Sequence, residues 1–242
     1  RHLYWGLFYL SFVTLWAYQS LISAQHYYST KFPEANLAFW GVVSLATAMF
    51  GAHIATVALG LDQWLGFTLR FVPSVVGFIA VGVALLLLHY TSVVVAAFTV
   101  VGVLMALSTS PLYGLAGLFP TPVFTQAITA GNGAAGFLNV TIETLIRLSL
   151  LWLDLRVDDT LVSFQVFISC TLVLSGFAIV VWYSVISAPA VQSQRECAAV
   201  QLQNRKYGSF WGTACVIWWP ALMNFLVFFV SLALWPGLGC SL

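Results

Sequence analysis

Residues Ser108–Phe137 read STSPLYGLAGLFPTPVFTQAITAGNGAAGF, an uncharged run crowded with Gly, Pro and small hydroxyl or amide residues. In a water-soluble chain that mixture marks a loop. Here it sits within 242 residues of which 61% are hydrophobic and only 6% charged. Glycine and proline are tolerated inside membrane helices, where neighbouring helices satisfy the backbone and small residues permit close approach. The run therefore reads as a helix-packing and pathway segment of a polytopic membrane protein.

Working outward from it, the chain divides into apolar runs. A bilayer-spanning helix needs about 20 mostly apolar residues. Seven runs meet that length: Leu3–Ala24, Ala38–Leu61, Phe71–Leu88, Val93–Leu118, Thr125–Leu153, Val162–Ile186 and Trp211–Leu234. The expected fold class is all-α, with seven transmembrane helices. Residues 1–191 would form a six-helix bundle, residues 192–210 a cytoplasmic loop, and residues 211–242 a seventh helix with the C-terminal end. Leu3–Ala24 is expected to remain as a span, because it is long and lacks a basic leader and a small-residue cleavage site.

Basic residues set the expected orientation. With the first residues cytoplasmic (or on the matrix side of an organelle), Arg1, Arg70, Arg195, Arg205 and Lys206 collect on that side, against Lys31 and Arg156 on the other. A formal net charge of +1 gives no reason to expect a nucleic-acid partner. Cys170, Cys197, Cys215 and Cys240 are dispersed without a CxxC pair, so neither a disulfide framework nor a metal site is signalled. No nucleophile–base or metal-ligand pattern points to an enzyme, and no cofactor is expected. Asn139-Val140-Thr141 matches a glycosylation sequon but falls mid-membrane.

Small residues recur at four-residue spacing in two spans: Ser44, Ala48, Ala52, Thr56 and Gly60, then Gly102, Ala106, Ser110 and Gly114. Residues four apart share a helix face, so each span carries a smooth ridge. Such ridges serve tight helix packing, or faces that rock against neighbours during alternating access. In the fifth run, Gly131-Asn132-Gly133 with Gly136 is expected either to weaken the helix and free carbonyls for a ligand, or to make a packing kink.

Few titratable groups fall inside the spans. Glu143 and Arg147 stand four apart with the acid first, the favourable order for an ion pair on one helix face. Charges in membrane helices face the bundle interior or a cavity. The pair is thus either a self-neutralising structural element or a gate. His53 is expected as a buried, hydrogen-bonded histidine or a proton-coupling group; His26 and His89 read as interfacial. Asp154, Asp158 and Asp159 beside Arg156 read as a solvated rim. Trp16, Tyr18, Gln19, Ser23, Gln25 and His26 form a polar-aromatic stripe suited to a flat, uncharged polar solute.

Pro111–Pro120, PLYGLAGLFP, followed by GNGAAGF over Gly131–Phe137, resembles the fourth and fifth helices of the equilibrative nucleoside transporters. Thr14–Gln19, TLWAYQ, is similar to that family's Thr-Leu-Leu-Pro-Trp-Asn on helix one. TLIRL over Thr144–Leu148 looks like its Arg-Leu element, and Phe229–Gly237 like its seventh helix. The resemblance implies a bundle of the major-facilitator type, six helices followed by five, with a cytoplasmic N-terminus; the seven runs correspond to its first seven helices. It also implies passage of nucleosides or nucleobases by alternating access. Carried over position by position, the substrate site comprises Leu15, Tyr18, Gln19, Ile22, Met105 and Thr109. Gly114, Gly117, Gly131, Gly133, Gly136, Glu143 and Arg147 take packing and gating roles. The sequence departs from the family at Tyr18-Gln19, at Met105 in place of a substrate-near Gly, and at Thr109 in place of a base-contacting Gln.

Two functional expectations follow. The first is a nucleoside or nucleobase transporter in the lipid bilayer. The second is a transporter-derived helical subunit with a structural role among other membrane subunits, which the altered site residues favour. Seven-helix receptors and rhodopsins match in helix number only, since Lys31 and Lys206, the two lysines, both fall in loops.

Overall fold

The first helix, α1, runs 30 residues from His2 to Lys31 and stops where the sequence reaches Phe32-Pro33. Proline disfavours helical backbone in the residue before it, and Phe32 is non-helical at φ −131° and ψ 68°. A single 3-10 turn, Pro33–Ala35, leads to Asn36 at φ 43°, a left-handed conformation that asparagine tolerates. From there α2 spans Leu37–Ala58, α3 Phe67–Leu87, α4 Thr91–Gly117, α5 Val123–Trp152, α6 Asp159–Ile186 and α7 Pro189–Asn204. Gly117 ends α4, and Pro120 and Pro122 keep it from resuming. These elements come from a computed structural model that describes residues 1–59, 61, 65–88, 90–152, 159–204, 218–219, 222–223 and 226.

Among the described residues the protein is all-helical, with seven helices and no strand. Four of them contain stretches long and apolar enough to cross a membrane: Phe39–Ala58, Phe67–Leu87, Thr91–Gly117 and Thr160–Ile186. They correspond to the second, third, fourth and sixth of the expected runs. The first and fifth runs fold as helices of 30 residues each, α1 and α5. At about 1.5 Å per residue both exceed a bilayer core in length. Their polar side chains, from Ser11 to His26 and from Gln126 to Arg147, lower their apolarity. The seventh run, Trp211–Leu234, lies mostly outside the described residues, as do Gly60 and His89.

The chain forms two units, Arg1–Gln194 and Arg195–Leu242. In the first, α1 is central and touches α2, α4, α5 and α6; α2 packs on α4, and α3 on α4 and α6. One core cluster gathers Leu21, Tyr28, Phe78, Phe98, Met105 and Phe164; a second gathers Leu10, Phe71, Leu115, Ile128, Trp182 and Val191. In the second cluster Phe71 and Trp182 stack with ring centroids 4.2 Å apart, and the Trp182 indole N–H donates to Thr68 Oγ1 at 3.3 Å. In the second unit the described residues include an edge-to-face pair, Trp218 and Trp219.

The small-residue ridges of α2 and α4 meet. A Cβ at Gly102 would collide with the Leu45 carbonyl and come within 3.2 Å of the Ala48 methyl. Several local readings are revised. Gly131-Asn132-Gly133 does not break its helix: α5 continues through it from Val123 to Trp152. Gly131 instead lets the α1 backbone at Phe8 approach where a side chain would collide with the Phe8 carbonyl. His53 is exposed on α2 rather than buried. Arg70, counted with the loop-side basic residues, is buried in the first turn of α3 and donates to Ser110 Oγ at 2.9 Å. The polar stretch beginning at Gln192, expected to join the sixth and seventh runs, is helical through Asn204.

Candidate functional site

Hydrogen-bonding groups inside an apolar bundle need partners, and α1 places most of its own against α5 and α6. Near its start, the Ser11 hydroxyl donates to the Ile128 carbonyl at 2.9 Å and lies 2.6 Å from Asn132 Oδ1. A hydroxyl carries one proton, so Ser11 and the Asn132 amide share a single network rather than two independent bonds. Midway along, the Thr171 hydroxyl of α6 donates to the Phe167 carbonyl at 2.9 Å and lies 3.0 Å from Ser20 Oγ, both side chains being buried. Tyr9 donates to the Leu174 carbonyl at 3.0 Å.

Towards the end of α1, Ser23 lies 2.8 Å from Asn139 Oδ1 and 3.4 Å from Glu143 Oε2. Glu143 in turn accepts from Arg147 Nη2 at 2.8 Å, which is the ion pair expected from their spacing. Glu143 is 26% exposed and Arg147 46%, so the carboxylate is the deeper partner. Asn139 is 2% exposed, and its amide nitrogen has no hydrogen-bond partner among the described residues. A buried, unmatched donor of this kind costs about 1–3 kcal/mol. It is an unfilled bonding capacity on the seam, and the Trp16 indole N–H of α1 is another nearby.

Asn132, Asn139 and Glu143 are separated by seven and four residues, hence on one face of α5. That spacing is readable in the sequence. Ser11, Ser20 and Thr171 are not, because small hydroxyl residues in membrane helices commonly bond their own backbone. Thr14, Thr56, Thr129 and Thr144 do so here, each donating to the carbonyl four residues back.

The residues implied by the resemblance divide. Leu15 and Tyr18 pack with Met105 into the first core cluster. Met105 is 7% exposed, and Thr109 donates to the Met105 carbonyl at 2.6 Å, so its hydroxyl is spent on its own helix. Gln19 faces Gly136: its amide nitrogen lies 3.9 Å from where a Cβ would stand. Ile22 is half-buried. Gly114 abuts the Phe67 ring, whereas Gly117 and Gly133 have open space around them. The structure thus brings Gln19, Ser23, Gly136, Asn139 and Glu143 to the α1–α5 seam, and leaves Met105 in the core and Thr109 half-buried on α4. The side chains of Gln25 and His26 lie outside the described residues.

Beside the seam, Phe12 and Trp16 of α1, Leu138 and Ile142 of α5, and Cys170 and Val173 of α6 line an apolar groove of about 390 Å³. Trp16 stacks on Phe12 at 5.6 Å and tilts against Phe167 at 5.9 Å. Tyr28, further along α1, is buried. No protein-family model matches this chain, and no curated protein does.

Proposed function

We propose that the chain is part of a membrane transporter of the equilibrative nucleoside type, passing a nucleoside or nucleobase by alternating access. In this reading α1 to α6 are the six helices of one half, and Trp211–Leu234 supplies a seventh span. The N-terminus is cytoplasmic, following the distribution of basic residues. The supporting observation is the α1–α5 seam: Gln19, Ser23, Asn139 and Glu143 offer both donors and acceptors in an otherwise apolar bundle, and the Asn139 amide nitrogen is unfilled. Such convergent polar groups at a helix interface are what an uncharged polar solute needs to leave water.

The test is uptake of labelled nucleoside into liposomes carrying the purified chain. Uptake well above protein-free liposomes, reduced by Asn139→Ala, is expected. Uptake no faster than through bare lipid, together with no measurable binding of labelled nucleoside to the chain, overturns the reading.

A second reading rests on a specific observation. Met105 is buried and Thr109 bonds its own backbone, so the α4 positions that the resemblance assigns to substrate present little to a ligand. This favours a transporter-derived helical subunit with a structural role in a larger membrane assembly. Stoichiometric co-purification with other membrane chains, without uptake activity, is its expected signature.

A further inference from the structure

The turn between α1 and α2 holds the clearest cluster of charged groups away from the seam. Lys31, the last residue of α1, and Phe32, Pro33 and Glu34 of the turn meet Thr91, the first residue of α4, around an open cleft of about 460 Å³. The depth of this cleft is set by its neighbours. Membrane-competent stretches begin at Phe39 and at Thr91 itself, so the cleft lies at the level where apolar helix gives way to the polar interface. Phe39, Trp40 and Tyr90 are exposed at the same end by 61%, 56% and 67%. Exposed aromatic rings at a span end are the mark of the headgroup layer.

The Lys31 ammonium is held in place. It donates to the Tyr27 hydroxyl at 3.0 Å and stands 5.3 Å from the Tyr27 ring centre and 6.0 Å from that of Phe32. An ammonium has three N–H donors, so two remain for a ligand. Tyr27 is itself fixed, stacked on Phe164 at 4.9 Å. Glu34 is exposed, and among the described residues neither Lys31 nor Glu34 has an ionic partner. Thr91 completes the lining.

A cation, a hydroxyl residue and a carboxylate lining one small cleft are complementary to a dipolar group carrying both a phosphate and an ammonium. We propose that this cleft binds the headgroup of an amine-bearing zwitterionic phospholipid, phosphate on Lys31 and Thr91, ammonium on Glu34. The aromatic level selects the lipid over a free phosphoamine, because the acyl chains then lie along the exposed rings of α2. An anionic lipid without an ammonium meets the Glu34 charge and is disfavoured. The inference is independent of what the bundle transports.

The test uses the full chain in detergent, titrated with phosphatidylethanolamine, phosphatidylglycerol or free phosphoethanolamine and read by native mass spectrometry. Phosphatidylethanolamine is expected to bind more tightly than phosphatidylglycerol, and free phosphoethanolamine weakly. Lys31→Gln should weaken phosphatidylethanolamine about fivefold, the worth of one interfacial cation. Glu34→Gln should erase the preference between the two lipids. Both side chains are exposed, and an unchanged thermal midpoint confirms that the variants are folded. Equal binding of both lipids by the unsubstituted chain, variants that bind as it does, or free phosphoethanolamine bound as tightly as the lipid would each overturn the proposal.

Discussion

At the scale of single residues, the seam turns on Asn139. Its amide oxygen faces Ser23, while its amide nitrogen is buried without a partner among the described residues. Replacing both Ser23 and Asn139 by Ala is therefore expected to cost less than the two single replacements summed. Interhelical polar pairs in membrane bundles couple by about 0.6 kcal/mol, with an upper range of about 1.7. A double-mutant cycle on thermal or denaturant unfolding in detergent checks this; additive losses would mean that the two side chains do not interact. Glu143 and Arg147 differ in depth, and the order of their effects follows. Arg147→Gln leaves a half-buried carboxylate unpaired, and should destabilise more than the double replacement Glu143→Gln with Arg147→Gln. The same unfolding measurement decides it. This pair was legible in the sequence because four-residue spacing on a helix is enough to define it. His53 was not. On a helix apolar nearly all round, periodicity does not tell which face turns inward.

At the scale of helices, two glycines govern how closely elements approach. A methyl at Gly131 would meet the Phe8 carbonyl, and one at Gly102 the Leu45 carbonyl, both rigid backbone atoms. Gly131→Ala and Gly102→Ala should each cost about 1–3 kcal/mol, the usual range for overpacking a tight contact. Gly133, two residues along, has nothing within 4 Å. Gly133→Ala should be neutral or stabilising by up to about 1 kcal/mol, because alanine is the better helix former. Comparing the three thermal midpoints checks the argument, and equal losses at 131 and 133 would refute it. The glycines of the fifth run suggested a weakened helix. Their role proved to be separation, because α1 covers Gly131 and not Gly133, and only the partner helix distinguishes the two.

At the scale of the whole molecule, α1 is the hub of the first unit, bordered by α2, α4, α5 and α6. Amides in the middle of α1 are expected to exchange more slowly than those of α7, whose described side chains are mostly exposed. Hydrogen exchange in detergent, followed by mass spectrometry, tests this; comparable rates would show that α1 is not structurally central. That a 30-residue helix rich in Ser, Thr and Gln sits at the centre explains its modest apolarity. Ser11, Ser20 and Ser23 meet polar groups of neighbouring helices, while Thr14 bonds its own backbone.

The sequence alone determined the class of this protein. Hydrophobic content, the near absence of charge and the length of each apolar run dictate membrane-competent helices, because an unpaired backbone is too costly in hydrocarbon. Where the helices end was less legible: α1 runs to Lys31, well past the expected end at Ala24, and Pro73 and Pro111 lie inside helices. The partners of the polar groups were decided by tertiary structure alone. Ser11 with Asn132, Ser20 with Thr171 and Ser23 with Asn139 each join residues more than a hundred positions apart. The 108–137 run shows both limits. Its glycines announced close packing, but which of them touches another backbone depended on how α1 lies across α5.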